Sequence, residues 1–112
     1  MQEYPITFKL EMSAGAGETA VATYTFSDAD FEITKMMTSR VNYLFNGKIG
    51  SVDSITFFEG MTYAGNVAGT GERPYRLDTP KLIKKGTTVT INAENLDDSE
   101  TDAYLTIGGR WK

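Results

Sequence analysis

The sequence predicts an all-β protein, a single-domain antiparallel β-sandwich over residues 1–112 with about eight short strands. Three observations predict it. Apolar residues alternate with polar residues in several runs, as they do along strands that bury one face. Turn-forming residues separate these runs at roughly the 8–12-residue spacing of sandwiches. The chain has the usual length of one domain and contains no internal repeat or heptad pattern.

The first two predicted strands flank a turn of small residues. Residues 6–12 and residues 20–26 each place an apolar side chain at every second position. Pro5 precedes the first run and suits either the start of a strand or an edge strand. Residues 13–18 between the runs are mostly Ser, Ala and Gly. We expect the two strands to form a hairpin.

Residues 31–45 allow two interpretations. Apolar side chains at most odd positions predict two strands that break near Ser39 and Arg40. Five apolar residues also fit helical spacing behind a cap at Ser27 or Asp28: Ile33, Met36, Met37, Val41 and Leu44. The Thr, Val, Tyr and Phe content and the strands on both sides favour two strands.

The middle of the chain is rich in turn residues. Asn46-Gly47 is a strong turn dipeptide, and it precedes a short predicted strand at residues 55–58 that Gly60 ends. Residues 64–74 form a glycine-rich loop, and loops of about this length are often functional. Two short apolar runs, residues 75–77 and 82–83, then flank residues 78–81.

Residues 82–96 and 103–111 carry the clearest alternation, and they predict two amphipathic strands joined by an acidic loop. Val89, Ile91 and Ala93 share one face, and a second group shares a parity in the last run: Ala103, Leu105, Ile107 and Trp111. We expect an antiparallel pair at one edge of the sandwich, with Trp111 closing the open end of the core.

Composition excludes several function classes. Fifteen acidic residues against eleven basic ones give a net charge of −4, which argues against non-specific binding of nucleic acid or of anionic membranes. The absence of Cys and His removes thiolate nucleophiles, histidine-based triads, and metal sites built on Cys or His. No leader pattern opens the sequence, and no apolar stretch approaches the roughly 20 residues that span a bilayer. We therefore expect a protein that is not an enzyme and has no cofactor.

Two loops contain candidate binding groups. The acidic loop places four carboxylates at positions 97, 98, 100 and 102, a density that can bind calcium. The spacing is not that of an EF-hand, and a run of like charge in a hairpin is usually a solvated tip, which is the favoured interpretation. No pair of carboxylates has the defined separation that glycosidase chemistry requires. The glycine loop lacks the spacing of phosphate-binding motifs, which leaves a contact loop.

Aromatic residues provide the remaining candidates. Phe57 and Phe58 are adjacent and point to opposite faces of a predicted strand, so at least one is expected to be exposed. Large aromatic side chains are common at protein interfaces. The predicted interface consists of this pair, two tyrosines and the glycine loop: Phe57, Phe58, Tyr63, Gly65, Gly69, Gly71 and Tyr104.

Parts of the sequence resemble small jelly-roll structural proteins of bacteriophage heads. The resemblance covers residues 76–91, Asn95-Leu96 and residues 104–111: a Pro, an apolar pair, a Lys-Gly turn, a Thr/Val/Ile strand, Asn-Leu, and a Leu-x-x-Gly finish with Arg and an aromatic residue. Residues 30–35 are similar to an early strand of those proteins. Residues 38–74 have no counterpart.

The resemblance implies a jelly roll and a role in virion architecture, as a capsid cement, decoration or head-associated protein. The implied partners are further copies of the chain, as a homo-oligomer, and viral capsid proteins, in a virion assembled in the host cytoplasm. No catalytic, cofactor or metal residues carry over. A carbohydrate- or receptor-binding β-sandwich module is the alternative, and neither hypothesis involves nucleic acid or a membrane.

Overall fold

The computed structural model describes residues 4–13, 15, 17–39, 42–50, 55–58, 60–67, 69, 74–97 and 99–112. Within them the chain forms nine strands and one helical turn: β1 (Tyr4–Met12), β2 (Thr19–Phe26), β3 (Phe31–Thr38), β4 (Tyr43–Ile49), β5 (Ile55–Thr56), β6 (Thr62–Tyr63), α1 (Ala64–Val67), β7 (Tyr75–Ile83), β8 (Thr87–Asn95) and β9 (Thr101–Trp111). No helix in this part of the chain has the length and apolarity needed to cross a membrane.

The strands form two antiparallel sheets packed face to face. The first sheet, called sheet A, has the order β1-β9-β3-β7, and the second, sheet B, has the order β2-β8-β4-β5 with β6 also paired to β4. The pairs β1 with β9, β2 with β8, β3 with β7 and β4 with β5 describe one long hairpin. Rolling this hairpin into two sheets adds the pairs β3 with β9 and β4 with β8. This is the strand order of a jelly roll, and it confirms the predicted fold class.

β5 and β6 are two parts of one interrupted strand along β4. Lys48 and Phe45 lie three positions apart on β4, whereas their partners Thr56 and Thr62 lie six positions apart. The segment that joins the two short strands is therefore three residues longer than a continuous strand would be. Counted this way, the sandwich has the predicted eight strands.

The core lies between the sheets and contains the predicted inward positions of the first and last strands. Seven of them are buried: Ile6, Phe8, Leu10, Val89, Ile91, Leu105 and Ile107. Trp111 is half-buried and packs its ring 5.0 Å from Phe31 and 5.7 Å from Phe26, centroid to centroid. The alternation in the sequence thus identifies the buried face of these strands.

The two predicted strand pairs, β1 with β2 and β8 with β9, are wrong, although the strands themselves are present. β1 and β2 lie in different sheets, and so do β8 and β9, because each connecting loop crosses from one sheet to the other. Asn95 holds the two crossings together: its Nδ2 donates to Ser13 O and Ser99 O at 3.0 Å, and its backbone O accepts from Gly17 N at 2.8 Å. β8 and β9 are central strands, so neither forms an edge.

The observed strands decide two predictions for the middle of the chain. The described residues between 31 and 45 form β3 and the beginning of β4, as favoured, so the helical alternative is wrong. Residues 75–83 form one strand, β7, where the sequence suggested two short runs. The register between β3 and β7 shifts near Thr34, and β7 is an edge strand, where Pro80 removes no hydrogen bond from a central ladder.

Candidate interaction site

Asn46 organises the interruption between β5 and β6. The sequence predicts a turn at Asn46-Gly47, but both residues lie inside β4. The Asn46 carboxamide Nδ2 donates to Phe58 O at 2.9 Å and to Gly60 O at 2.8 Å, and its Oδ1 accepts from Phe58 N at 3.1 Å and Gly47 N at 2.8 Å. One buried side chain therefore supplies the hydrogen bonds that a regular partner strand would have made.

Gly47 provides the space for the Phe57 ring. A Cβ placed on Gly47 would lie 2.6 Å from Phe57 Cε2, closer than such atoms approach. The backbone fixes the same contact, because Phe57 N donates to Gly47 O at 2.8 Å. Glycine at this position lets an aromatic ring pack directly on the strand backbone.

Phe57 and Phe58 are both held against the core. Phe57 is only 8% exposed and Phe58 is half-buried. The Phe58 ring meets those of Phe45 and Phe57 edge to face, with centroids 5.5 and 6.2 Å apart. The prediction that one of the pair is exposed is wrong, because regular strand geometry ends at Thr56 and the two side chains no longer alternate between faces.

An apolar cleft opens between β7 and the Phe57–Phe58 pair. Its volume is about 260 Å³. Six apolar or aromatic side chains line it: Ile33, Met36, Phe57, Phe58, Tyr75 and Leu77. Lys81 is the cation among the described lining residues. Tyr75 is 41% exposed and presents its ring at the cleft. The cleft can therefore accept an apolar group with a negative charge next to it.

The other predicted interface residues occupy different places. Tyr63 is half-buried on β6, and its ring covers Gly65 in α1. Gly69 accepts a hydrogen bond at 2.7 Å from Thr38 N at the end of β3. Tyr104 is exposed on β9 of sheet A, and it does not line the cleft. Gly71 lies outside the described residues. The structure thus brings Phe57 and Phe58 together at the cleft and leaves Tyr104 apart from them.

The acidic loop is held by its own side chains. The Asp97 carboxylate accepts from Ser99 N at 3.3 Å and from Ser99 Oγ at 3.4 Å, while Asp97 N donates to Asn95 Oδ1 at 2.9 Å. Among the described residues no three carboxylates are placed to hold a metal ion, and Asp98 lies outside that set. The described geometry gives the calcium hypothesis no support.

A buried polar pair connects the two sheets near the Gly69 contact. Thr38 ends β3, Tyr43 begins β4, and their hydroxyls lie 2.7 Å apart. Burial raises the pKa of Tyr43 to about 12, although the hydrogen bond to Thr38 acts in the opposite direction. The phenol is therefore neutral over the physiological range and acts as a structural hydrogen-bonding group.

Sequence reasoning missed Asn46, Gly47 and the β7 residues of the cleft. A signal for the first two was present, because Tyr43, Phe45 and Ile49 keep one parity straight through the Asn-Gly dipeptide. Nothing local indicates that Tyr75 and Leu77 line the same cleft as Phe58, since a fold-specific crossing brings β7 to that position. Comparison with protein-family models and with curated proteins gives no match for this chain.

Proposed function

We propose that the protein is a non-enzymatic structural component of a bacteriophage head, a capsid cement or decoration protein that works as a homo-oligomer on the capsid lattice. The strand order of the two sheets carries the proposal, because jelly rolls are a common architecture of viral capsid proteins. The resemblance of residues 76–91 and 104–111 to phage head proteins points the same way. The site of action is the virion, assembled in the host cytoplasm.

The size of the cleft supports a protein partner. Pockets for drug-sized ligands measure about 300–1,000 Å³, and this cleft measures about 260 Å³. That volume suits one apolar side chain of a capsid protein, with a neighbouring carboxylate facing Lys81. Repeated over a lattice, such contacts gain strength from multivalency although each alone is weak.

The first test is the genetic setting and the second is binding to shells. Genes for head proteins beside this gene support the proposal, and they supply the capsid protein for coexpression. The protein is expected to cosediment in a density gradient with shells assembled from that capsid protein. Free protein at the top of the gradient, at every ratio tried, contradicts the proposal.

Two variants on one strand test the cleft. Tyr75→Ser removes the ring at the cleft, and Leu82→Ser removes a side chain of β7 that is 46% exposed and does not line it. We expect Tyr75→Ser to lower the amount of protein on shells at least about tenfold, as loss of an interface anchor does, and Leu82→Ser to leave it unchanged. Equal losses would exclude the cleft as the contact.

Tyr75 also favours the alternative function. A half-exposed aromatic ring beside a lysine can stack on a sugar, so a carbohydrate- or receptor-binding module is the second candidate. A glycan array separates the two. Glycan binding that Tyr75→Ser abolishes, by a protein that ignores shells, replaces the first proposal with the second.

A further inference from the structure

β2 is an edge strand without the features that usually prevent strands from pairing. Among the described residues its one partner strand is β8, through eight consecutive register pairs and without a bulge. Its sequence TAVATYTF contains no charged residue, no Pro and no Gly. Val21 at its middle is 62% exposed. Long, regular, uncharged edges of this kind present a template for another strand.

The hydrogen bonds around β8 show which backbone groups of β2 point outward. Thr88 O accepts from Gly50 N and Leu96 N donates to Asn42 O, so even-numbered residues of β8 face β4. Asn95 N donates to Glu18 O, so odd-numbered residues face β2. In the antiparallel register these odd residues lie opposite even residues of β2.

The odd-numbered residues of β2 therefore direct their N–H and C=O groups away from the sheet. They are Thr19, Val21, Thr23 and Thr25. The Oγ atoms of Thr25 and Thr88 lie 2.7 Å apart, as expected for a pair that does not exchange backbone hydrogen bonds, where side chains approach more closely.

We propose that two copies of the chain pair their β2 strands antiparallel, so that sheet B continues across a two-fold axis at Ala22. In this register Val21 of one copy lies opposite Thr23 of the other, and Thr19 lies opposite Thr25. All four outward-facing residues of each strand then find backbone partners. The inference specifies the self-association within the proposed function, but it holds whether or not the chain binds a capsid.

Side chains on the inner face fit the same register. Ala20 of one copy lies opposite Tyr24 of the other, and the two Ala22 side chains meet at the axis. Tyr24 is 36% exposed in the single chain, although it shares the inward parity of Phe26. Small Ala20 leaves room for the partner's ring, so a second copy covers the half-open margin of the core.

Charge does not oppose a second copy at this strand. The chain carries a net charge of −4, so two copies repel each other where their charged surfaces meet. The eight residues of β2 bring no charge into the contact. In the proposed register no carboxylate lies directly opposite another across the paired strands, so the cost of pairing is low.

A matched pair of lysine substitutions tests the edge. Val21→Lys and Leu82→Lys each replace an exposed apolar residue on an edge strand and change the net charge equally. Analytical ultracentrifugation over about a hundredfold range of concentration is expected to show association of the 12.3 kDa wild-type chain to a dimer. We expect Val21→Lys to shift the midpoint at least about tenfold higher, and Leu82→Lys to leave it in place.

Two proline substitutions test the alternation of backbone groups. Thr23→Pro removes an N–H that points away from β8, so the variant is expected to keep the wild-type circular dichroism spectrum and to be monomeric. Ala22→Pro removes an N–H that bonds to β8 and is expected to lower the melting temperature strongly. Equal effects of the two substitutions on folding would contradict the assignment of outward groups.

Amide hydrogen exchange gives a direct reading of the same contact. In the dimer, the amides of Val21 and Thr23 are expected to be protected together with those of Ala22 and Tyr24. In Val21→Lys, residues 21 and 23 lose protection, while residues 22 and 24 keep it. A wild-type chain that stays monomeric at all concentrations overturns the inference. If that monomer still cosediments with shells, the capsid-binding part of the proposed function stands and its homo-oligomer falls.

Discussion

The sandwich has two open sides, and the strands that border them expose different chemistry. β7 combines Pro80, a shifted register against β3 and three charged residues in the sequence YRLDTPKLI. β2 has a regular register and the uncharged sequence TAVATYTF. Proline, charge and irregular pairing each stop a free strand from recruiting another. The β7 side is thus suited to side-chain recognition in a cleft, and the β2 side to strand pairing.

The remaining two edges agree with this division. β1 lies next to β2 on the other sheet, and it contains Pro5 and a Lys9–Glu11 ion pair of 2.8 Å. β5 is two residues long, too short to serve as a template. Of the four sheet edges in the described part of the chain, β2 alone lacks such protection.

A truncation in the core that both sheets share should destabilise the whole sandwich, and it has the largest expected effect. Ile91→Ala or Leu105→Ala removes a fully buried side chain and should lower the free energy of unfolding by about 2–5 kcal/mol. Thr90→Ala, on the outer face of β8, should change it by less than about 1 kcal/mol. Urea denaturation measures both. Equal losses would contradict the observed facing of β8.

Asn46→Ala should damage the β7 side and leave the β2 side intact. The change removes four hydrogen bonds, to Phe58 N, Phe58 O, Gly60 O and Gly47 N, at an expected cost of about 2–4 kcal/mol. Asn92→Ala, opposite Asn46 on β8, is the control and should cost less than about 1 kcal/mol. Urea denaturation measures the stability of each variant, and analytical ultracentrifugation measures its dimerisation. Loss of dimerisation in folded Asn46→Ala would show that the two sides are not independent.

Raising the pH above about 10 should lower the free energy of unfolding through Tyr43, which joins the ends of β3 and β4. The pKa of Tyr43 is raised to about 12 in the folded chain, above the value of about 10 in an unfolded one. The unfolded chain therefore loses this proton first, and the stability associated with it, about 2–3 kcal/mol, is lost as the pH rises from about 10 to about 12. Tyr43→Phe should show a smaller fall over that interval, with stability measured by urea at pH 8 and pH 11.5. Parallel curves for the two proteins would contradict the assignment.

Gly47→Ala has the smallest expected effect, and it tests whether the Phe57 ring is the reason for glycine at this position. The added methyl group collides with the Phe57 ring and should cost about 1–3 kcal/mol. Phe57→Leu in the same chain removes the collision, so the double variant should lose less than the sum of the single losses. A double-mutant cycle by denaturation measures this coupling. Strict additivity would mean that the ring does not set the requirement for glycine.

The sequence was enough to predict which face of each strand is buried, but not which strands pair with each other. Alternation identifies the buried faces of β1, β8 and β9 because it is a local property of each strand. The partner of a strand depends on where the chain crosses between sheets, and local turn residues do not distinguish a hairpin from a crossing. For this reason the predicted hairpin of β1 with β2 and the pair of β8 with β9 were wrong.

The candidate site shows the same limit. Phe57 and Phe58 were identified as a pair of interest, but their exposure was inferred from regular strand geometry that ends at Thr56. Asn46-Gly47 has the composition of a turn, and its position inside β4 follows from contacts with Phe57, Phe58 and Gly60 that local sequence does not contain. The tertiary environment outweighed turn propensity.

Pairing of β1 with β9 has a consequence for the order of events during translation. Tyr4 lies opposite Gly109, and β9 separates β1 from β3 within sheet A. A nascent chain therefore cannot complete sheet A until residues 101–111 have left the ribosome. Until then the apolar faces of β1 and β3 stay uncovered, and closure over so long a sequence separation is slow. We expect the emerging polypeptide to depend on chaperones that shield apolar segments, and ribosome-bound chains stalled before residue 101 to be sensitive to protease.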